Sequence, residues 1–465
     1  MKKYIIKSVF IIALFTVFSA CEDFVDIEPK GQVFATSTDQ LQELLYNGSV
    51  ISTKRSFELH AGSDEIRDFD SEELPFTNPF ANGYGAMLAF RDFLYPVDTN
   101  PIVSSYGNLY AAINLTNIVL ESIDDVSGTA EQKDQLRGRA LVFRANILLE
   151  LVNTFARHYS TSYAEDENSG VVIPENSTSS FDLKRSSIQE VYNFIIADLE
   201  KAIPLLNSNK PEFLDQPNKI ATYGYLARVY LYMGEWDLAK ENAENALALQ
   251  SDLYDYKTDV SGSDFPHFGN IQGDIENIIV SYDATPYFTG SFDRQPGIIV
   301  NPELLDLYES QDLRRTVLYD GNLWRGRYGQ ITSLRSNSGL TVPELMLIRA
   351  ECNARTGDAQ LALDDLNILR ENRFEAGYTP LTDVSNALTL VKEERRRELA
   401  FNYWRLIDIK RYNLIDNDNI SVIHMNTSTG ETHTLSPGDN NRVLPIPAFV
   451  VALDPSIVQN PRDGN

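Results

Sequence analysis

Two windows of this chain repeat one pattern of small and apolar residues, and the pattern restricts how the helices within them can pack. In the first window, 219–250, the recurring positions are Leu226, Ala227, Tyr230, Gly234, Ala239, Ala243 and Ala246. In the second, Glu344–Arg370, the corresponding positions are Ala350, Gly357, Ala362, Leu366 and Leu369. Alanines let two antiparallel helices approach closely, and a glycine between them permits the tight turn. Each window is therefore predicted to form a helix–turn–helix pair.

Both windows follow the tetratricopeptide pattern, whose repeats normally succeed one another along the chain. Here residues 251–340 separate them, so the two pairs are predicted to meet through tertiary folding instead. Ser187 and Glu190 have the spacing of a capping box at the start of a further helix. Apolar periodicity predicts additional helices at Thr38–Asn47, 106–123, 131–157 and 186–206, the two middle ones joined by a turn at Asp124–Gly128.

Two stretches, 58–100 and 251–340, differ in kind from the helical segments because they are rich in glycine, aspartate, serine and aromatic residues. Long irregular segments on a rigid scaffold commonly carry binding sites. Short strands are predicted within the second stretch, around Ile278–Tyr282 and Gly297–Val300. We predict that both stretches are loop-rich insertions on the ligand side of the protein.

The predicted fold class is mostly α, with tetratricopeptide-like helix pairs forming a scaffold, long irregular loops and a few short β-strands. The scaffold is predicted to occupy 100–250 and 341–412. The last part of the chain, 413–465, is predicted to be dominated by loops.

The amino-terminal residues show the parts of a secretory signal. Lys2, Lys3 and Lys7 precede an uncharged run, Val9–Phe18, and small residues follow before Cys21. The run is too short to cross a bilayer, which needs about 20 apolar residues. A cysteine directly after the small residues resembles the lipobox of bacterial lipoproteins, although phenylalanine stands three positions before it, where leucine is usual.

That resemblance implies a lipoprotein signal peptide at 1–20, acylation of Cys21 and a lipidated tether at 21–36. An ordinary signal peptide with an incidental cysteine is the alternative. Glu22 and Asp23 resemble the acidic signal that directs some Gram-negative lipoproteins to the cell surface, and a solvated linker is the alternative there. Acyl chains contribute about 0.8 kcal/mol per buried methylene, so a multiply acylated cysteine would attach the protein durably.

The formal net charge of −26 bears on the choice of partners. A strongly acidic body is repelled by nucleic acid and by anionic lipid headgroups, so neither is expected to bind, and the membrane is reached through the lipid anchor. The second cysteine, Cys352, lies in an apolar helical pattern. With Cys21 expected to be acylated, no disulfide is expected and stability must come from packing.

The carboxy-terminal third carries a family resemblance. The late helices of the SusD/RagB family of outer-membrane nutrient-binding lipoproteins resemble the segment containing Glu393–Phe401, Trp404, Arg405, Asp408 and Arg411. The terminal motif of that family resembles Leu444–Pro447, Asp454–Pro455 and Gln459–Pro461. Together with the lipobox and both windows, the resemblance covers nearly all of the mature chain. Without the family, Lys392–Glu398 indicates a charged helix face on which Glu393 and Arg397 pair.

The resemblance implies a single SusD-like domain at 37–465 on an outer-membrane lipoprotein that faces the cell exterior. It implies capture of an oligomeric nutrient, usually a glycan and in some members a peptide. It further implies delivery of that nutrient to a SusC-like TonB-dependent transporter. A pure protein-interaction scaffold is the alternative from another class, because tetratricopeptide helices commonly bind proteins.

A shallow glycan site stacks aromatic rings on the apolar faces of sugars and hydrogen-bonds their hydroxyls through Asn, Asp and Arg side chains. The candidate ligand-binding residues of this kind in the two insertions are Asp64, Tyr84, Arg91, Tyr287, Phe288, Phe292, Trp324 and Arg325. For each of them, packing within the protein is the alternative. No family motif assigns residues in these variable loops.

No catalytic motif stands out. The histidines lack the helical spacing of metal ligands, and no nucleophile elbow is present. A surface glycoside hydrolase would need two carboxylates flanking a cleft, and the nearest loop candidates are Asp64–Glu65 and Glu72–Glu73. Solvated acids are the favoured interpretation of both pairs. The chain is therefore expected not to be an enzyme, with no catalytic or metal-binding residues and no cofactor; bound calcium is left open.

Overall fold

The protein is represented by a computed structural model, whose described residues are 35–46, 57–69, 87–90, 105–178, 183–260, 273–281, 298–324, 326, 328–330, 333–335 and 337–463. Its helices are α1 Thr38–Leu45, α2 Phe57–Ala61, α3 Ser105–Ser122, α4 Ala130–Phe155, α5 Ile188–Ala202, α6 Lys219–Met233, α7 Trp236–Leu247, α8 Pro302–Leu305, α9 Arg314–Val317, α10 Val342–Thr356, α11 Ala359–Glu371, α12 Ala387–Glu398, α13 Arg405–Ile415 and α14 Ala448–Leu453. Its strands are β1 Ile66–Phe69, β2 Asn277–Ile279, β3 Ile298–Val300, β4 Tyr319–Asp320, β5 Leu323–Trp324, β6 Tyr328–Gln330, β7 Ser333–Arg335, β8 Leu340–Thr341, β9 Val422–Asn426 and β10 Thr432–Leu435. The mostly α fold class is confirmed.

Both repeat windows form the predicted helix pairs, α6 with α7 and α10 with α11. Each turn uses its glycine in the left-handed region, with φ of 81° at Gly234 and 99° at Gly357. Helix α10 packs against α7 and also contacts α6, so the two windows meet in space as predicted. The buried alanines at 227, 239 and 246 explain the close approach.

The remaining scaffold helices also form from local signals. Helices α3 and α4 pack as a pair, and α5 packs on α4. Ser187 and Glu190 make the capping box at the start of α5, and Thr129 and Gln132 make a second one at the start of α4. Such caps bond the otherwise unpaired amide groups of the first helical turn. In the described part of the chain no helix is both long enough and apolar enough to cross a bilayer.

A small sheet lies apart from the main helical core. Its strand order is β10–β9–β1–β3, with β1 antiparallel to β3 and parallel to β9. Beneath it is a separate hydrophobic cluster that includes Ile66, Phe69, Trp324 and Phe401. The predicted strand segments near 278 and 298 appear as β2 and β3, and β2 pairs with β8.

The prediction of a charged helix face at 392–398, with Glu393 and Arg397 as its pair, needs correction. This run does not form a solvated face: within α12, Glu394 is 0% exposed and Arg395 is 1% exposed. Glu394 contacts Arg314 at 2.7 Å and Arg397 at 2.8 Å, whereas the expected Glu393–Arg397 pair is longer, at 3.9 Å. Helices α10 and α11 cover α12, so its charges pair internally, where an unpaired charge would be very costly.

The expectation of a loop-dominated end was incomplete, because 413–465 also contains the β9–β10 hairpin and α14. The hairpin turn includes Gly430 at φ 74°. The terminal family motif closes the carboxyl end of α4, where helical carbonyls have no partner within the helix. Leu444 N donates to Thr154 O at 3.1 Å, and Asn460 Nδ2 donates to Phe155 O at 2.8 Å. The motif is therefore structural.

Candidate functional site

The two predicted ligand-side insertions are attached at one place in the fold. Phe69, the last residue of β1, pairs with Ile298, the first residue of β3. Residues 70–86 follow Phe69 and residues 282–297 precede Ile298 in the sequence. Paired residues in antiparallel strands lie about 5 Å apart. The segments that carry Tyr84 and the 287–292 aromatics therefore start from adjacent backbone positions.

A third candidate segment joins the same place. Val300 N donates to Asn322 O at 3.2 Å, which ties β3 to the β4–β5 turn. Trp324, at the end of β5, pairs with Tyr319, and Arg325 follows it directly. We call β1, β3 and β5 (66–69, 298–300 and 323–324) the loop root. Three separate stretches of sequence with ligand-binding candidates are joined to it.

Asp64 is buried beside the loop root, and its carboxylate is bonded within the protein. Arg405 donates to its two oxygens at 2.7 and 2.8 Å, and Arg396 lies 3.1 Å away. Burial alone would raise the pKa of Asp64, but the two guanidinium groups outweigh it and lower the pKa to about 2. The backbone carbonyl of Asp64 accepts from Asn301 Nδ2 at 2.9 Å. In this structure Asp64 holds the loop root together, which is a different role from the ligand contact proposed for it.

The carboxylate of Glu65 is also bonded within the protein. Its carboxylate accepts from Phe401 N at 2.5 Å and lies 3.1 Å from His60 Nδ1 and 3.3 Å from Ser63 Oγ. Phe401 is held at φ 59°, a conformation that a bulky residue rarely adopts, and the buried carboxylate fixes it there. Asp64 and Glu65 are only 6% and 2% exposed, so this carboxylate pair does not flank an open cleft.

Trp324 packs within the protein, which was the alternative to a ligand contact. Its ring is 7% exposed, and its centroid lies 4.9 Å from that of Phe401 in the cluster beneath the sheet. Trp324 is part of the loop root, and its ring ties β5 to this hydrophobic cluster. The other ligand-binding candidates and the lipidation candidate lie outside the described residues: Cys21, Tyr84, Arg91, Tyr287, Phe288, Phe292 and Arg325. Glu72 and Glu73 of the second carboxylate pair lie outside them as well.

His424 on β9 is a structural residue of this region that the sequence reasoning missed. Its Nδ1 lies 2.9 Å from Leu88 O and its Nε2 lies 3.1 Å from Ser63 O. The imidazole thus connects the chain on both sides of residues 70–86. Burial outweighs these two carbonyl contacts and lowers the pKa of His424 to about 4. The available sequence signal was a histidine at a position of β9 that an alternating strand turns inward, where a polar side chain needs internal partners.

Metal binding has no visible support in the part of the chain described. No group of three or more His, Cys, Asp or Glu side chains there could hold a metal ion. Asp64 is bonded to two arginines, and Glu65 is bonded to a backbone amide, a histidine and a serine.

A mostly α-helical scaffold with a small four-stranded sheet, to which long segments of irregular sequence are joined, defines the class of protein by its fold. Comparison with known sequences identifies the family within that class. A family model described as "Starch-binding associating with outer membrane" matches residues 23–231, and a model described as "SusD family" matches residues 342–462. The chain belongs to the SusD/RagB family.

Known relatives agree with this assignment. The chain is 25% identical over 383 residues to SusD-like protein P2 of Formosa agariphila, covering 68% of this chain and 73% of the relative. Its fold is similar to that of a SusD-like carbohydrate binding protein from Bacteroides vulgatus, with a TM-score of 0.68, 20% identity, and coverage of 91% and 97% of the two chains. It is also similar to a SusD superfamily protein from Bacteroides thetaiotaomicron, with a TM-score of 0.71, 18% identity, and coverage of 92% and 100%.

Proposed function

We propose that this protein binds an oligosaccharide at the outer membrane and passes it to a SusC-like TonB-dependent transporter. Family membership supports a role in carbohydrate binding, and the proteins it resembles in fold include one named as carbohydrate binding. The glycan is held by the candidate aromatic and polar side chains of the segments joined to the loop root. A peptide ligand is the alternative within the same family.

The observation that carries this proposal is the convergence of the three segments on the loop root. The Phe69–Ile298 pair joins stretches that are more than 200 positions apart, and the Val300–Asn322 hydrogen bond adds a third stretch from the second insertion. The ion pairs of Asp64 and the ring of Trp324 make that junction rigid. A rigid base reduces the ordering cost of binding, because its own backbone has little freedom left to lose.

Attachment through an acylated Cys21 and export to the cell surface directed by Glu22 and Asp23 complete the proposal. A lipid anchor would hold the protein at the membrane that contains its transporter, which raises the effective concentration of the two partners. Labelling with palmitate would test the anchor. Protease accessibility on intact cells would test the orientation.

Calorimetric titration of the full chain against neutral oligosaccharides and against peptides tests the binding function. We expect saturable binding of at least one oligosaccharide, and we expect Tyr287→Ala with Phe288→Ala to weaken it. Phe213→Ala is the matched control, because Phe213 is a 49% exposed aromatic outside the candidate segments.

The outcomes separate the alternatives. Binding of peptides alone would favour the peptide-binding alternative. Absence of any saturable ligand, combined with retention of a protein partner, would favour the interaction scaffold. Release of shortened sugars would indicate a hydrolase, and Glu72→Ala and Glu73→Ala would then identify its acids.

A further inference from the structure

A concave surface lies on the helical scaffold beside α5, and we call it the α5 groove. It has a volume of about 700 Å³, and it runs between the start of α5 and the segments before it, its lining including Ile173, Glu175, Lys184, Glu190, Asn193 and Phe194. A volume of this size is within the range of small-ligand sites. None of its lining residues belongs to the loop root or to the insertions that carry the ligand-binding candidates.

Side chains hold both walls of the α5 groove. On one wall, Tyr110 OH donates to Val172 O at 3.0 Å, and Asn117 Nδ2 donates to Pro174 O at 2.8 Å, so α3 fixes residues 172–174. On the other wall, Arg185 Nε donates to Gly170 O at 2.8 Å. Because each wall is fixed by buried or half-buried donors, the described walls are preformed for a ligand.

Phe194 provides an aromatic surface in the groove. Its ring is half-buried, and the Arg144 guanidinium lies 4.9 Å from its centroid. Arg144 is itself fixed, since it donates to both oxygens of Asp198 at 2.7 and 2.9 Å and to Asn117 Oδ1 at 2.8 Å. The ring is therefore held against an immobilised cation.

The rim has the chemistry of a hydroxyl-rich ligand. Glu175, Lys184, Glu190 and Asn193 are exposed and carry acceptors as well as donors. One oxygen of Glu190 caps α5, and Lys184 also lies 3.3 Å from Glu167. An anionic ligand is disfavoured, because two carboxylates face the groove and the guanidinium of Arg185 already donates to backbone carbonyls. A purely apolar ligand is disfavoured because it would remove these polar groups from water without giving them hydrogen-bond partners. Neutral sugars combine apolar faces with many hydroxyls and match both features.

We propose that the α5 groove is a second oligosaccharide-binding site, which stacks a sugar ring on Phe194 and hydrogen-bonds its hydroxyls through the rim. It goes beyond the proposed function, because it would bind a glycan independently of the loop root. Two sites on one chain would retain a long polymer more firmly than either alone, provided that the polymer reaches both.

Methyl NMR of the full chain tests this proposal, with Ile173 as the reporter because it lines the groove. Maltoheptaose, cellohexaose and laminarihexaose are the probes. We expect a saturable shift of the Ile173 methyl signal with at least one of them. Asn193→Ala and Phe194→Leu should weaken that titration about tenfold, which corresponds to about 1.4 kcal/mol. Glu200→Ala is the control, because Glu200 is exposed on the same helix but does not line the groove.

The same titrations distinguish this site from the loop root. Tyr287→Ala with Phe288→Ala should leave the Ile173 titration unchanged, while it weakens the total binding that calorimetry measures. No Ile173 shift with any of the three sugars would overturn the second site, and so would a shift that both groove variants leave intact. Either result would leave the proposed function standing. Unchanged melting temperatures would show that the variants remain folded.

Discussion

Arg228 on α6 and Glu344 on α10 form a buried bidentate ion pair, with Nε–Oε1 and Nη2–Oε2 distances of 2.8 and 2.7 Å. The two side chains are 0% and 2% exposed. Arg228 also donates to Gly339 O at 2.7 Å and lies over the Trp404 ring at 4.3 Å. The pair joins the two repeat windows, which are separated by the whole second insertion.

Removing one partner of this pair should be strongly destabilising. Arg228→Met or Glu344→Leu alone leaves a buried charge without its bidentate partner and should lower the free energy of unfolding by about 3–5 kcal/mol. The double variant should lose less than the sum, since neither charge then remains. Urea denaturation of all four proteins measures the coupling. Asp124→Ala, which breaks the exposed Arg137 pair, should cost no more than about 1 kcal/mol. Strict additivity of the two buried changes would contradict the prediction.

Asp64 should make the protein sensitive to acid. Its pKa is about 2 in the folded state against 3.8 in the unfolded chain, so its stabilising contribution is complete above pH 3.8 and is lost as the pH falls through 2. Asp64→Asn should therefore destabilise the protein at neutral pH and reduce the dependence of stability on pH below about pH 4. Urea midpoints measured over that range test this. An unchanged pH slope would show that the arginine contacts do not govern the carboxyl group.

His424 should contribute a pH dependence in a different range. Its pKa is about 4 in the folded protein and 6.5 in the unfolded chain. Between these two pH values the unfolded chain binds a proton that the folded protein does not, so the free energy of unfolding rises as the pH rises from 4 to 6.5. The maximum slope from one such group is about 1.4 kcal/mol per pH unit. His424→Gln should reduce the slope, although His158, whose pKa burial also lowers, still contributes in the same direction. A slope that does not change would contradict the burial argument.

Gly339 should tolerate no side chain. A Cβ atom there would lie 2.0 Å from the backbone oxygen of Ile279, across the β2–β8 pair, and backbone cannot move as a side chain can. Gly339→Ala should cost about 1–3 kcal/mol or more in the free energy of unfolding. Gly438→Ala is the matched control, because nothing lies within 4 Å of its added Cβ. Equal midpoints for the two variants in thermal melts would contradict the prediction.

Local sequence determined the helical scaffold of this protein. The capping boxes at 129–132 and 187–190, the left-handed glycines after α6 and α10, and the alanines between paired helices act within one or two turns of chain. Their physical effects need no distant partner. The contact between the windows was also predictable, because neither helix pair can bury its apolar face alone.

Only the tertiary structure decided which charged and aromatic residues are buried and bonded within the protein. The sequence of 392–398 has the same spacing whether its charged residues are solvated or buried. Burial is possible because Arg314 and Arg370, which come from other parts of the chain, form ion pairs with Glu394. Asp64 and Trp324 had the residue types of ligand contacts, yet Arg405 and Phe401 bind them internally. The sequence indicated which insertions carry the candidates. Only the pairing of β1 with β3 showed that they are joined at one place, because strand register depends on residues more than 200 positions apart.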